Sequence, residues 1–336
     1  FTMDEDRKAN YQNITNYDID SMNDNSEEMP TTGADNKIKL GALRGKDYDD
    51  EMWDSLLDEL SIEDMTTLIA GGGYQTTAID SIDKAATTDN DGPATIYNNY
   101  TGATGSAFTT EVMLANTWNK DIAYEMGKSV GKEADEMDVS GWYAPAMNIH
   151  RTAFGGRNFE YYSEDPYLTG MLAAAVTRGV QSKPGCGVTI KHFACNNQED
   201  NRMGVDSRVS ERALREIYLR GFEIAVKEGN PVSIMTSYNL VNGVHAANSK
   251  DLCVTVARKE WGFDGAIMSD WNTTVPEDGS TPWKCAAAGN DIIMPGNPDD
   301  DKNILQAYKE GKLTEEEIRS CAEHLITMIS RLNQKR

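Results

Sequence analysis

The chain has 336 residues, and its 32 Lys plus Arg against 54 Asp plus Glu give a formal charge of −22. Hydrophobic residues make up 39% of it, enough for a packed core, but no run of about 18 apolar residues could span a membrane as a helix. The acidic balance also argues against binding nucleic acid through its phosphates. Neither a membrane nor a nucleic acid is therefore expected as a partner.

The five cysteines are odd in number and show no C-x-x-C spacing, which disfavours a disulfide framework and a structural zinc site. This usage slightly favours a cytoplasmic over a secreted location. Short glycosylation sequons at Asn13, Asn99 and Asn272 arise easily by chance and do not establish secretion. The cysteines are Cys186, Cys195, Cys253, Cys285 and Cys321.

The first 37 residues are rich in Asp, Asn, Glu and Ser and poor in aliphatic side chains. This composition predicts a polar arm or linker over residues 1–37 that lies on a surface and contributes nothing to the core. The residues from 38 to 336 show regular apolar patterns and are predicted to form one domain.

Within that domain, apolar residues recur at helical spacing in several segments, and short β-prone runs separate them. The predicted helices are 49–60, a short helix after the Ser61 cap, 111–137, 166–181, 210–228, 251–261 and 314–332. The predicted strands are 139–148, 187–193, 232–238, 265–270 and 291–294. Alternating strands and helices over this length predict an α/β fold with parallel strands and helical crossovers.

Two parallel architectures fit this alternation, a closed (β/α)8-type barrel and an open doubly wound sheet. A nucleotide-binding open sheet needs a glycine-rich turn that binds phosphate. The glycine cluster at residues 71–73 has neither the G-x-G-x-x-G nor the G-x-x-x-x-G-K-[ST] spacing of such turns. Barrel enzymes collect their chemistry at the carboxyl ends of strands. Polar residues stand at several predicted strand ends, which favours the barrel and one shared pocket. These residues are Asp91, His150, Lys191, His192, Tyr238 and Asp270.

The residue types at these positions suit the recognition of many hydroxyl groups. A run dense in amide, carboxylate and guanidinium groups, 196–202, follows Lys191 and His192 directly. Arg157 follows a Gly-Gly turn, where Glu160 or Glu164 could also pair with it. Asp270 ends an apolar strand and precedes Trp271, which is typical of a sugar site with an aromatic face beside a reactive carboxylate.

These motifs together make the sequence similar to glycoside hydrolase family 3, from about residue 47 to the end. Any one of the strings is weak, but they follow the order of the family. They are Asp91-Gly92-Pro93, Asn148-Ile149-His150-Arg151, 156–160 with 163–166, Lys191-His192-Phe193, Ser237-Tyr238-Asn239 with Asn242-Gly243, 260–263, Ser269-Asp270-Trp271 and 291–296.

The resemblance implies a retaining, exo-acting β-glycosidase, most simply a β-glucosidase, on a (β/α)8-like barrel that needs no cofactor and no metal. It makes Asp270 the nucleophile and makes Asp91, Arg157, Lys191 and His192 ligands of the terminal sugar. Tyr238 would lie beside the nucleophile, while Met235 and Trp271 would shape the wall. Arg157 and Lys191 are expected to keep Asp270 ionised.

Two departures from the family pattern affect the predicted function. The loop after Asp91-Gly92-Pro93 continues with residues 94–100 instead of small residues, so the preferred sugar is open. In most of the family the acid/base Glu lies in a second α/β domain, and this chain ends at Arg336. We therefore expect the acid/base from another domain or chain, in a member with inverted domain order. The loop at 194–199 does not resemble the histidine loop of the N-acetylglucosaminidase subgroup.

Three alternatives stay open from the sequence. One is a β-xylosidase of the same family, and another is a sugar-binding barrel that has lost turnover. The third, a metal-dependent barrel hydrolase, is disfavoured because the four histidines form no H-x-H or H-E-x-x-H motif.

Overall fold

Five short parallel strands form the centre of the structure, a computed structural model that describes residue 5 and residues 17–22, 28–47 and 50–333. In sheet order they are β1 (Asp89–Asn90), β2 (Gly141–Trp142), β3 (Gly187–Phe193), β5 (Ser233–Thr236) and β8 (Ala266–Met268). Every pairing between neighbours is parallel. All seven residues of β3 are buried, as expected for a strand with helices or core on both faces.

Backbone hydrogen bonds close this sheet into a ring. Met268 forms a parallel bridge with Ile292, and Ile293 N donates to Ile69 O at 2.7 Å. The segment after Ile69 then meets the other edge, because Asp89 N donates to Tyr74 O at 2.9 Å. The predicted barrel-type α/β fold is thus confirmed. In the part of the chain described here, the ring contains the five strands, the segment 292–295 and the segment 71–74, which follows the helix that ends at Ala70.

Helices cover the outside of this ring and alternate with the strands. None of the described helices is both long and apolar enough to cross a membrane. The α-helices are α1 (Met52–Leu57), α2 (Ile62–Ala70), α3 (Glu111–Ala115), α4 (Lys120–Glu136), α5 (Pro166–Gln181), α6 (Glu211–Ala213), α7 (Arg220–Ile224), α8 (Pro282–Ala287), α9 (Pro298–Lys309) and α10 (Glu315–Asn333), with π-helical turns at Leu214–Tyr218, Ala225–Gly229 and Asp251–Glu260.

Most of the predicted elements are present. The strand expected over 291–294 is reduced to an isolated bridge at Ile292, and the helix expected over 210–228 alternates between α-helical and π-helical turns. Two other elements are broken. The helix expected over 111–137 divides into α3 and α4 at Trp118, whose φ is +53°. Asn119 then caps α4, its side chain accepting hydrogen bonds from Asp121 N and Ile122 N. The strand expected over 139–148 is regular only in β2, since Pro145 has no N–H to donate. Position 49, the expected start of the first helix, lies outside the described residues.

A small second sheet lies in the segments that follow β3 and β5. It joins β4 (Asp206–Ser207), β6 (Leu240–Val241) and β7 (Val244–His245). It holds the segment after Cys195 against the strand end at Tyr238, since Ser207 Oγ donates to Cys195 O at 3.2 Å and Asn239 Nδ2 donates to Ala194 O at 3.1 Å.

The described part of the predicted arm lies against the domain. Tyr17 donates its hydroxyl hydrogen to Asn248 O at 2.7 Å and accepts one from Lys250 N at 2.8 Å. Ile19 is 4% exposed and joins the core cluster that contains Leu56. The expectation that this segment contributes nothing to the core is therefore wrong at Ile19.

Candidate active site

Strand β3 ends in Lys191 and His192, and both side chains face the same cavity. In a regular strand, neighbouring side chains point to opposite faces. Here the pairing of β3 with β5 shifts register between Lys191 and Phe193, and such a bulge redirects side chains. Both residues reach the cavity although only 3% and 1% of their side chains is exposed.

The cavity has a volume of about 440 Å³ and opens at the carboxyl ends of the strands, where a barrel collects its polar groups. It is lined by all eight residues that the sequence analysis assigned to the site: Asp91, Arg157, Lys191, His192, Met235, Tyr238, Asp270 and Trp271. Its wall also contains five residues that were not assigned: Tyr74, Tyr97, Asn99, Tyr143 and Arg202.

An ion pair lies on one side of this cavity. Lys191 Nζ is 2.5 Å from Asp91 Oδ1, which also accepts a hydrogen bond from Gly92 N at 2.8 Å. Burial alone would raise the pKa of Asp91, but the Lys191 ammonium, the Gly92 N–H and Arg157 together lower it. Asp91 therefore stays ionised and can accept hydrogen bonds from hydroxyl groups. Arg157 pairs through Nε with Glu160, one of the two partners that the sequence allowed.

Asp270 lines the cavity, and its two carboxylate oxygens have different surroundings. Its Oδ1 accepts a hydrogen bond from Trp271 N at 2.7 Å, which fixes the carboxylate plane. Its Oδ2 is buried, and within the described residues no donor meets it with the geometry of a hydrogen bond. The Tyr238 hydroxyl is nevertheless close enough for the Asp270 carboxylate to raise its pKa, in addition to the larger effect of burial.

Burial dominates the electrostatics of Asp270. It raises the pKa of this carboxyl, while Arg157, the Trp271 N–H, Lys191 and Arg202 oppose the rise only in part. Arg157 and Lys191 thus favour the ionised form, as expected, but burial outweighs them in the direction of the shift; that Asp270 is ionised at neutral pH stays a prediction. The sequence could not show the effect of burial, because the buried position of Asp270, 8% exposed, follows from the closed ring.

His192 is a neutral member of the site. Burial, followed by the charges of Arg157, Lys191 and Arg202, holds the pKa of His192 well below its usual range. Its Nε2 lies 3.7 Å from Asp270 Oδ2, and its Nδ1 lies 3.3 Å from the Tyr161 hydroxyl. The contact with Asp270 is therefore not an ion pair. A neutral imidazole here can exchange hydrogen bonds with a ligand hydroxyl.

Tyr238 and Arg202 form the opposite wall. The Tyr238 hydroxyl donates to Trp271 O at 2.7 Å, and the Arg202 guanidinium lies over the Tyr238 ring at 4.6 Å from its centroid. Arg202 NH1 also donates to Glu199 Oε2 at 2.9 Å. Arg202 belonged to the dense polar run at 196–202, so the signal was present, although it did not single out this residue.

The structure does not bring His150 into the cavity. Its Nε2 lies 3.1 Å from Asn158 O and 3.0 Å from Tyr161 O, so it braces the loop that contains Arg157. The expectation that every polar strand-end residue shares the pocket is therefore wrong at His150. The chain turns away after β2, and the imidazole meets backbone carbonyls instead.

Three further observations concern metals, thiols and carboxylates. No group of three or more His, Cys, Asp or Glu side chains could hold a metal ion within the described ranges. All five cysteines are buried free thiols. Among the described residues that line the cavity, Asp91 and Asp270 are the only carboxylates.

The fold and the cavity together define a class of protein, a barrel-type α/β domain with a charged pocket at the carboxyl ends of its strands. Comparisons with known proteins agree with this class. Residues 95–328 match the profile described as "Glycosyl hydrolase family 3 N terminal domain". The chain belongs to glycosyl hydrolase family 3, as its motifs indicated.

Individual relatives are similar over most of this chain. Beta-glucosidase A of Butyrivibrio fibrisolvens is 44% identical over 72% of this chain and 29% of its own length. An exo-alpha-(1->6)-L-arabinopyranosidase of Bifidobacterium longum is 36% identical over 81% of this chain and 37% of its own length. The chain thus spans about a third of the length of these relatives.

Solved structures give the same result. Beta-glucosidase 3B from Thermotoga neapolitana, in complex with glucose, superposes with a TM-score of 0.78 at 41% identity and covers 85% of this chain and 44% of its own. A beta-glucosidase from Paenibacillus barengoltzii gives 0.81 at 38% identity and covers 91% of this chain and 35% of its own.

Proposed function

We propose that this chain contains the sugar pocket and the nucleophile of a retaining, exo-acting β-glycosidase of the β-glucosidase type. The observation that carries the proposal is the position of Asp270, whose carboxylate lines the same cavity as Asp91, Lys191 and His192. A sugar-binding relic would have no need of this carboxylate. The names of the relatives support the glycosidase class and favour a glucoside.

The reaction that fits this geometry is a double displacement. A carboxylate oxygen of Asp270 attacks the anomeric carbon while the bond from that carbon to the leaving oxygen breaks, which gives a glycosyl ester. Water then attacks the same carbon and releases the sugar and the carboxylate. Asp91, Lys191 and Arg157 hold the hydroxyls of the terminal sugar. Hydrogen bonds of this kind strengthen as the sugar approaches an oxocarbenium ion.

A retaining mechanism also needs a proton donor about 5–5.5 Å from the nucleophile. Asp91 is the only other carboxylate of the described cavity wall, and Lys191 and Arg157 hold it ionised. Glu199 is bound to Arg202 and Asn196 and does not line the cavity. We therefore propose that the acid/base group comes from a domain or chain outside these residues. The greater length of the relatives is consistent with this.

Replacing Asp270 by Asn tests the nucleophile. The amide cannot form a stable glycosyl ester, so turnover of 4-nitrophenyl β-glucoside should fall by several orders of magnitude while glucose, measured by calorimetry, still binds. Asp299→Asn, at an exposed carboxylate on α9, is the matched control and should leave both quantities unchanged. Normal turnover by the Asp270→Asn variant would contradict the proposal.

The leaving group tests the missing acid. Without a proton donor, the 336-residue chain should cleave alkyl glucosides and cellobiose slowly but nitrophenyl glucosides much less so, because nitrophenolate leaves without protonation. General acid catalysis contributes about 10²–10⁴-fold, which sets the size of the contrast. Efficient cleavage of cellobiose by these residues alone would locate the donor inside the chain, with Glu199 and Asp200 as the first positions to replace.

A further inference from the structure

The cavity has a charged base and an aromatic mouth. The Tyr74 ring stacks on Trp271 with 4.6 Å between centroids. Tyr100, outside the cavity proper, continues this wall: its ring lies 5.6 Å from Tyr74 and 5.7 Å from Trp271. It is 68% exposed, so most of the ring is free to contact a ligand.

The loop that presents Tyr100 is held in place from below. Asn98 is 3% exposed, and its Nδ2 donates to Asn90 Oδ1 at 2.9 Å at the end of β1. Its Oδ1 accepts hydrogen bonds from Tyr100 N at 3.0 Å and from Thr101 N at 3.1 Å. Gly102, with φ of +73°, closes this turn. The exposed ring is thus fixed on a buried anchor, which lowers the entropy lost when it binds a ligand.

The wall starts at the reacting carboxylate and leads outwards. Trp271 follows Asp270 directly and holds its Oδ1 through the backbone N–H. A sugar that contacts Asp91 and Lys191, with its anomeric carbon at the Asp270 carboxylate, must direct its leaving group towards the mouth. Trp271 lines the cavity and Tyr100 lies 5.7 Å from it, so both rings are within reach of that group.

We propose that Tyr100 is a specificity-determining residue of a leaving-group site and that this site takes a flat-faced ring attached to the glycosidic atom. This inference rests on the proposed function. An aromatic contact of this type changes affinity by about 2- to 10-fold, so the effect falls on ring-bearing leaving groups and leaves the terminal sugar unaffected.

The test uses binding of thioglycosides, which need no turnover. Affinities of the purified protein for glucose, methyl 1-thio-β-glucoside, phenyl 1-thio-β-glucoside and thiocellobiose are measured by calorimetry, for wild type and for Tyr100→Ala. Tyr167→Ala is the control, because Tyr167 is similarly exposed at 61% but its ring, unlike that of Tyr100, does not contact Tyr74 or Trp271. Circular dichroism checks that each variant folds.

We expect the wild type and the control to bind a ring-bearing thioglycoside about 2- to 10-fold more tightly than the methyl compound. Tyr100→Ala should lose this difference and keep its glucose affinity. If only the phenyl compound binds more tightly than the methyl compound, the site takes an aryl leaving group. If thiocellobiose binds more tightly by the same factor, the site takes any flat-faced ring. Equal wild-type binding of all thioglycosides, or an unchanged preference in Tyr100→Ala, would overturn this inference alone. Failure to bind glucose and every thioglycoside would overturn the proposed function as well.

Discussion

At the scale of single residues, the site depends on a balance between burial and charge at Asp270. Burial raises the pKa of this carboxyl, and Arg157 is the strongest of the groups that oppose it. The nucleophile must be ionised, so its activity should fall as the pH falls through a pKa that is higher than that of an ordinary Asp.

Removing Arg157 should raise the pKa of Asp270 further. Without the guanidinium, the ionised form of Asp270 loses its main support and its pKa rises, so the acidic limb of the kcat/KM profile should shift to higher pH. The measurement is kcat/KM for 4-nitrophenyl β-glucoside against pH in Arg157→Gln. Lys302→Gln, which removes an exposed cation on α9, should leave the limb in place. An unchanged limb in Arg157→Gln would show that this charge does not reach the nucleophile.

The residues that sequence reasoning found and missed differ in how they reach the cavity. Lys191 and Asp270 stand at the ends of apolar strands, a pattern visible in the sequence. Tyr74 and Tyr143 show no such pattern in the sequence. They belong to the cavity wall because their aromatic rings stack on each other in the folded barrel, with 5.7 Å between centroids. The burial that raises the Asp270 pKa is likewise a property of the closed barrel.

At the scale of elements, helices α4 and α5 pack with an unusually close backbone approach. A Cβ on Gly127 would overlap the carbonyl oxygen of Val176, and a Cβ on Gly179 would overlap that of Tyr124. The helices themselves could be predicted from periodicity, but this contact could not, since glycine in a helix carries no hydrophobic signal.

The close approach predicts the sign of a substitution. Alanine normally stabilises a helix interior by roughly 0.5–1 kcal/mol relative to glycine. At Gly127 the overlap should reverse this and lower the free energy of unfolding by about 1–3 kcal/mol, as overpacking does. Urea denaturation of Gly127→Ala measures it, and Gly41→Ala, where the added methyl group meets nothing within 4 Å, is the control. A more stable Gly127→Ala would contradict the packing described here.

At the scale of the whole molecule, the parallel ring determines where the chemistry lies. Since every strand of the ring runs the same way, residues as distant in sequence as Asp91 and Asp270 meet at one end. The alternation of strands and helices predicted this much. It also predicted a strand at 291–294, where one segment completes the ring, but it did not predict the segment 71–74, which joins the ring through only a few backbone hydrogen bonds.

The most direct test of this account is covalent labelling of the nucleophile. A 2-deoxy-2-fluoro-β-glucoside with a dinitrophenol leaving group needs little help from an acid, and its glycosyl ester hydrolyses slowly enough to be trapped. Mass spectrometry of the digested protein should find the label on the peptide that contains Asp270, with one dinitrophenol released per labelled chain. A label on any other carboxylate, or no label in a protein that turns over the parent glucoside, would contradict the central claim.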